Sequence, residues 1–138
     1  MGLTITTERE ARRRLAAQLR QTRRRRGLAA RDVAQAMCLA LRTYQALEEG
    51  AAPCTLQRLN AYAEAVDCDA LAMLMALHAD DELLSIRASD NKFVSILAGE
   101  LSDYVRARSD LLSRLTPRSL FSIAASVISA LDVSVDAA

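Results

Sequence analysis

Few side chains in this 138-residue chain have the types and spacing for covalent chemistry. Cys38, Cys54 and Cys68 are odd in number and lack CxxC spacing, so they read as reduced, mostly buried thiols rather than metal ligands or bridges. His78, the only histidine, has no ligand partner at helical spacing. Ser126 and Ser129 have no nearby histidine, and no Gly-rich phosphate loop occurs, so no enzyme, metal or cofactor is expected. The promising chemistry is recognition by hydrogen bonds. Arg42 carries a planar fork of donors, and Thr43 and Gln45 beside it carry both donors and acceptors. Arg31 carries a second such fork.

Charge supports a polyanionic partner. Residues 1–60 hold twelve Arg against five Asp or Glu, a balance of +7, whereas residues 61–138 hold six Lys or Arg against twelve Asp or Glu, a balance of −6. The near-neutral total thus hides a basic half and an acidic half. The run Arg23-Arg24-Arg25-Arg26 concentrates like charge at a helix end, and Arg12, Arg13, Arg24 and Arg25 are expected to add diffuse attraction. No apolar run reaches the roughly 18 residues of a membrane span, and no signal-peptide core follows the start. A cytoplasmic, nucleoid-associated protein without a membrane partner is expected.

Helices must position these side chains, because Ala, Leu and Arg dominate and β-branched residues are scattered. Residues 1–6 read as an arm. Thr7 with Glu10 is a capping-box pattern, so a first helix starts at Glu8 and ends at Gly27. A second covers Ala30 to Met37, and a tight turn at Cys38-Leu39-Ala40 leads into a third from Leu41 to Glu49, stopped by Gly50. Pro53 and Thr55 open a fourth, burying Leu56, Leu59, Tyr62, Ala63 and Val66. Asp67-Cys68-Asp69 breaks the chain before a fifth helix carrying Leu71, Leu74 and Leu77. Asp80-Asp81-Glu82 marks a border between residues 1–79 and 80–138. A short helix is expected through Leu83, Leu84 and Ile86, then a long one capped by Asp90 and reaching Leu115. Thr116-Pro117 starts a last helix that runs to about Leu131, with fraying after Asp132.

The stretch from Gly27 to Gly50 resembles, without gaps, the Cro/XRE family of phage and bacterial repressors. Val33-Ala34, Leu39, Tyr44, Leu47 and the ending Glu48-Glu49-Gly50 carry the likeness. Leu15, Leu19, Arg20 and Arg23 upstream, and Pro53, Leu56, Leu59, Ala63 and Leu71 downstream, extend it to roughly residues 13–75. The resemblance implies an all-α, five-helix lambda-repressor-like helix-turn-helix domain in residues 1–79, whose helix 41–49 enters the major groove of double-stranded DNA. It implies DNA contacts at Ala30, Arg31, Leu41, Arg42, Thr43, Gln45 and Ala46. It also implies an ion pair between Arg23 and Glu48 tying the first helix to the third. Departures from the family pattern are Ala29 and Ala40 at capping positions, Cys38 at a turn glycine, and Ala30, Leu41 and Ala46 where polar side chains are usual. They remove polar contacts with DNA and leave the fold.

In residues 80–138, Val94, Leu97, Leu101, Tyr104, Leu111 and Leu115 form a heptad seam interrupted at Arg108. One seam helix needs a cover, either the last helix, with Leu120, Ile123, Ala124, Val127 and Leu131, or a second chain. The reading is a transcription regulator, a homodimer on a pseudo-palindromic operator. The alternatives are an antitoxin holding a protein partner on its C-terminal region, and a helix-turn-helix interaction module without specific DNA binding.

Overall fold

The computed structural model describes residues 7–79, 81, 86–87, 89–110 and 112–137. Every regular element among them is helical. The expected arm at residues 1–6, and the expected roles of Asp80, Glu82, Leu83, Leu84 and Leu111, lie outside the described residues.

Helix α1 spans Glu8–Arg25, and the Thr7 side chain caps it by accepting from the Glu10 N–H. Its buried stripe is Leu15, Ala16, Leu19 and Thr22, three or four residues apart as one helix face requires. Helix α2 spans Ala30–Ala36 and α3 spans Leu41–Glu48. Helix α4, Leu56–Val66, is capped by Thr55 and ends at Asp67 in the left-handed region. Helix α5 spans Ala70–Ala79. Helix α1 packs on α3 and α5, α2 on α3 and α4, and α4 on α5. Leu19, Val33, Tyr44, Leu47, Leu59, Tyr62 and Met73 form the inside of this core. Burying each such large apolar side chain stabilises the fold by roughly 1.5–3 kcal/mol. Tyr62 stays satisfied there because its hydroxyl donates to the Leu19 carbonyl at 2.5 Å. The buried side of α5 is Ala72, Met73 and Ala76, whereas Leu71, expected inside, is 37% exposed. Leu56, the first residue of α4, is likewise 63% exposed.

The chain divides into two compact units, residues 1–98 and 99–138. The first therefore extends past the border suggested by the acidic stretch after Ala79. Its extension is held by one buried carboxylate. Asp69 Oδ1 accepts from the N–H groups of Leu71 and Ala72, which caps α5. The same carboxylate accepts from the Ser95 N–H at 2.9 Å and the Ser95 hydroxyl at 2.6 Å. The Asp69 N–H donates to the Ser89 carbonyl at 2.8 Å. Around it, Arg25 pairs with Asp90 at 2.5 Å and Lys92 with Asp67 at 2.9 Å.

Helix α6 spans Phe93–Ala107, a 3-10 turn covers Leu112–Arg114, and α7 spans Pro117–Asp136. Three expectations change here. The long helix starts at Phe93, capped by the Asn91 side chain, because Asp90 is engaged by Arg25. It ends at Ala107 instead of reaching Leu115, so the seam is not one continuous helix. Helix α7 starts as Thr116-Pro117 predicts but continues past Asp132 to Asp136, since no residue there stops it. It is also long and apolar enough, by length and composition, to cross a membrane. Arg118, its serines and its two aspartates interrupt any continuous apolar run, while the helix as a whole remains apolar on average.

Burial pushes the Asp69 carboxyl up, but hydrogen bonds from Ser95, Ala72 and Leu71 outweigh this and hold it below the ordinary aspartate value. Asp69→Ala removes a cap and two longer-range bonds at once. It should lower stability by about 2 kcal/mol in urea unfolding; an unchanged midpoint would contradict the joining role.

Candidate nucleic-acid interface

The helix pair α2–α3 is built around a turn that requires unusual backbone. Cys38 adopts φ of 54°, a left-handed conformation that costs a non-glycine residue roughly 1–2 kcal/mol. The Leu39 N–H closes the turn on the Ala34 carbonyl at 2.8 Å, and small Ala34 is buried beneath it. After the turn, Ala40 stands at the N-cap of α3 without a side-chain cap bond, and Ala29 does the same for α2. Both helices thus begin with backbone N–H groups that no side chain occupies.

The two sides of α3 differ sharply. Tyr44, Leu47 and Glu48 face inward and are buried. Arg42, Gln45 and Glu49 are exposed, and Leu41, Thr43 and Ala46 are half-buried. Residues three and four apart share a helix face, so Arg42, Gln45 and Ala46 form one outward patch. Leu41 packs in part against its own core. Arg31 is exposed in the first turn of α2, and Ala30 beside it is half-buried. The Glu49 carboxylate lies at the far end of the α3 surface, which disfavours a polyanion there and favours its approach to the first half of the helix.

What locks α3 in place is a charged cluster. Arg23 Nε donates to Glu48 Oε1 at 2.6 Å and Arg23 Nη2 to Glu48 Oε2 at 3.0 Å, a bidentate pair. Arg23 Nη1 donates to the Leu28 carbonyl at 2.9 Å, which also fixes the chain leading into α2. The Tyr44 hydroxyl donates to Glu48 Oε1 at 2.5 Å. The side chains of Arg23 and Glu48 are only 12% and 8% exposed. Burial raises the Glu48 carboxyl, yet the bonds from Arg23 and Tyr44 prevail and hold it below the ordinary glutamate range. At the end of α3, Gly50 has φ of +71°, and a Cβ there would meet the Arg13 backbone at 3.5 Å and the Ala16 side chain at 3.6 Å. This is where α3 and α1 approach closely.

The arginine run has a different fate from the one its charge suggests. Arg23 is taken by Glu48, and Arg25 and Arg26 face Asp90 at 2.5 and 3.6 Å. Arg25 is therefore a structural cation of the first unit. Arg12 pairs with Glu8 at 2.7 Å. Arg13, Arg24, Arg31 and Arg42 are exposed. Of the seam residues, Val94 is buried in the first unit, Leu97, Leu101 and Tyr104 are exposed, and Leu115 is half-buried. The Tyr44 hydroxyl and the Asp69–Ser95 bonds have no sequence signal of their own: Tyr44 reads as an apolar position, and Ser95 lies 26 residues from its acceptor.

Residues 14–74 match the helix-turn-helix domain family. This segment is a helix-turn-helix domain. Among solved structures the chain is similar to the crystal structure of the clp gene regulator ClgR from C. glutamicum, at 23% identity and a TM-score of 0.48, over 53% of this chain and 95% of that one. No curated protein matches the chain. The helix-turn-helix domain begins within α1 and ends within α5, so the Asp69 carboxylate lies inside it and Ser95 beyond it.

Two outcomes follow for this domain. Glu48→Ala strands the Arg23 charge and should cost ~3–5 kcal/mol, seen as a sharp fall in melting temperature. Because the folded Glu48 carboxyl titrates below its unfolded value of roughly 4.3, its contribution is complete above that pH and is lost as pH falls through the folded value. A parent–mutant stability gap that stays constant from neutral to strongly acid pH would contradict this. Separately, Cys38→Gly removes the left-handed strain and should stabilise the domain by about 1 kcal/mol in thermal unfolding.

Proposed function

We propose that this protein is a sequence-specific, DNA-binding transcription regulator of the Cro/XRE type that works as a cytoplasmic homodimer on a pseudo-palindromic operator. The observation that carries this reading is the two-sided character of α3. One side is locked to α1 through Arg23, Tyr44 and Glu48, and the other presents Arg42 and Gln45 to solvent. A helix with fixed orientation and free planar donors is what reading a major groove requires.

In this reading Arg42 contacts a guanine, and Thr43 and Gln45 contact a base or a phosphate beside it. The exposed part of Leu41 meets a thymine methyl group, and Ala46 allows the helix to approach without adding a hydrogen bond. Arg31, with the Ala30 backbone, holds a phosphate at the positive end of α2. Residues 1–98, the first unit, bind DNA, and residues 99–138 serve assembly through the apolar positions on the later part of α6 and beyond. The uncapped starts of α2 and α3 fit the same reading, since a DNA phosphate can supply the acceptor that Ala29 and Ala40 lack.

Base and phosphate contacts differ in what their loss does. On an operator selected from a random duplex library, Arg42→Ala should cost ~1–3 kcal/mol per half-site and much less on random duplex. Arg31→Ala should weaken both alike and reduce the slope of log affinity against log salt by about one unit. Equal losses on operator and random duplex for Arg42→Ala would make it a backbone contact and move base reading to Gln45 or Thr43.

A further inference from the structure

The second unit leaves its apolar side chains uncovered. No described residue of α7 is buried along its 20 residues. On α6, Leu101 and Tyr104 are 58% and 56% exposed. Within residues 99–138 these side chains thus remain largely open to a further partner. On α7, Leu120, Phe121, Ile123, Val127, Ile128 and Leu131 fall within one arc of about 160° at 100° per residue. The opposite side carries Ser122, Ser126 and Ser129, with Val133 its one large apolar residue, and Asp132 borders the arc beside Phe121. Two of the α7 hydroxyls are satisfied by their own helix: Ser126 donates to the Ser122 carbonyl at 3.0 Å and Ser134 to the Ala130 carbonyl at 2.9 Å.

This pattern distinguishes between occupants. A helix crossing a membrane alone meets lipid on every side, and α7 is apolar on one. A helix lying on an anionic lipid surface, or on nucleic acid, carries Lys and Arg on its polar face. Here α7 has Arg118 at its start and then only Asp132 and Asp136. The arc itself has no charge for a charged partner to match, but it does match itself, as an isologous contact requires. A helix of this length is about 30 Å long and 10 Å across, so covering the arc removes on the order of 400 Å². Residues of α6 beyond Ala98 bring the total toward the ~800 Å² per partner of a specific dimer. The arc is also wider than the narrow seam of a two-stranded coil, so it suits contact with more than one helix.

We infer that α7, with the later part of α6, pairs with the same helices of a second copy of this chain in a four-helix interface that is centred on Leu120 and Leu131 and extends to Ile128 and Phe121. The inference rests on the homodimer proposed above and centres its contact on α7, with only Leu101 and Tyr104 of the Val94–Leu115 seam beside it. Sedimentation equilibrium of the full chain tests it. The parent should have the mass of two chains, and Ile128→Asp should halve it with an unchanged circular dichroism spectrum. Phe121→Asp should do the same, at a site 80% exposed in the single chain, where folding does not depend on the side chain. Ser122→Asp, on the opposite side, should remain dimeric, and mixing Ile128→Asp with Ile128→Arg chains should restore the doubled mass. A monomeric parent, a dimer that survives both arc substitutions, or flotation of the parent with phosphatidylcholine vesicles would overturn it. Binding to a random-sequence duplex is measured alongside. A dimer that fails to bind DNA would count against the regulator and leave the interface standing.

Discussion

The bidentate pair between Arg23 and Glu48 is the constraint on which the recognition surface depends. Helix α3 is only eight residues long, too short to be stable on its own. Its orientation comes from what its inner side meets. Tyr44 and Leu47 supply apolar contact, which is not directional, and the carboxylate–guanidinium fork supplies direction. A buried ion pair adds little net stability compared with an apolar pair of the same shape, but breaking one side is costly. The cluster therefore fixes how α1, α3 and the chain leading into α2 fit together, since Arg23 also holds the Leu28 carbonyl.

The same logic of shared partners extends the domain. Asp69 caps α5 and also accepts both polar groups of Ser95, so one carboxylate serves the start of two helices. Asp90 and Asp67 engage arginine and lysine beside it. Positive charge that appears in the sequence as attraction for a polyanion is spent in part on internal pairing. The surface proposed to meet DNA is correspondingly focused on the starts of α2 and α3, where Arg31 and Arg42 remain exposed.

Local signals were readable where one residue decides the backbone. Thr7, Thr55 and Thr116 each cap the helix that their sequence context announces, and Gly27 and Gly50 adopt the positive φ that ends α1 and α3. The helix-turn-helix segment was legible through a set of spaced residues, and the strain at Cys38 through the absence of glycine there. Partners distant in sequence were not legible. Asp90 looks like a cap until Arg25, 65 residues earlier, claims its carboxylate and Asn91 takes over. The heptad spacing from Val94 to Leu115 persists through residues 108–110, where the helix does not. Periodicity reports which side chains are apolar, and it carries no information on where backbone hydrogen bonding stops.

The central claim is that the outward side of α3 lies in a major groove. Chemical protection of a selected operator tests it most directly, because dimethyl sulfate methylates guanine N7 in the major groove and adenine N3 in the minor groove. The bound protein should protect guanine N7 in two patches related by a two-fold axis, about one helical turn apart or a multiple of it. Protection confined to adenine N3, or an unprotected duplex under conditions of full binding, would contradict the account.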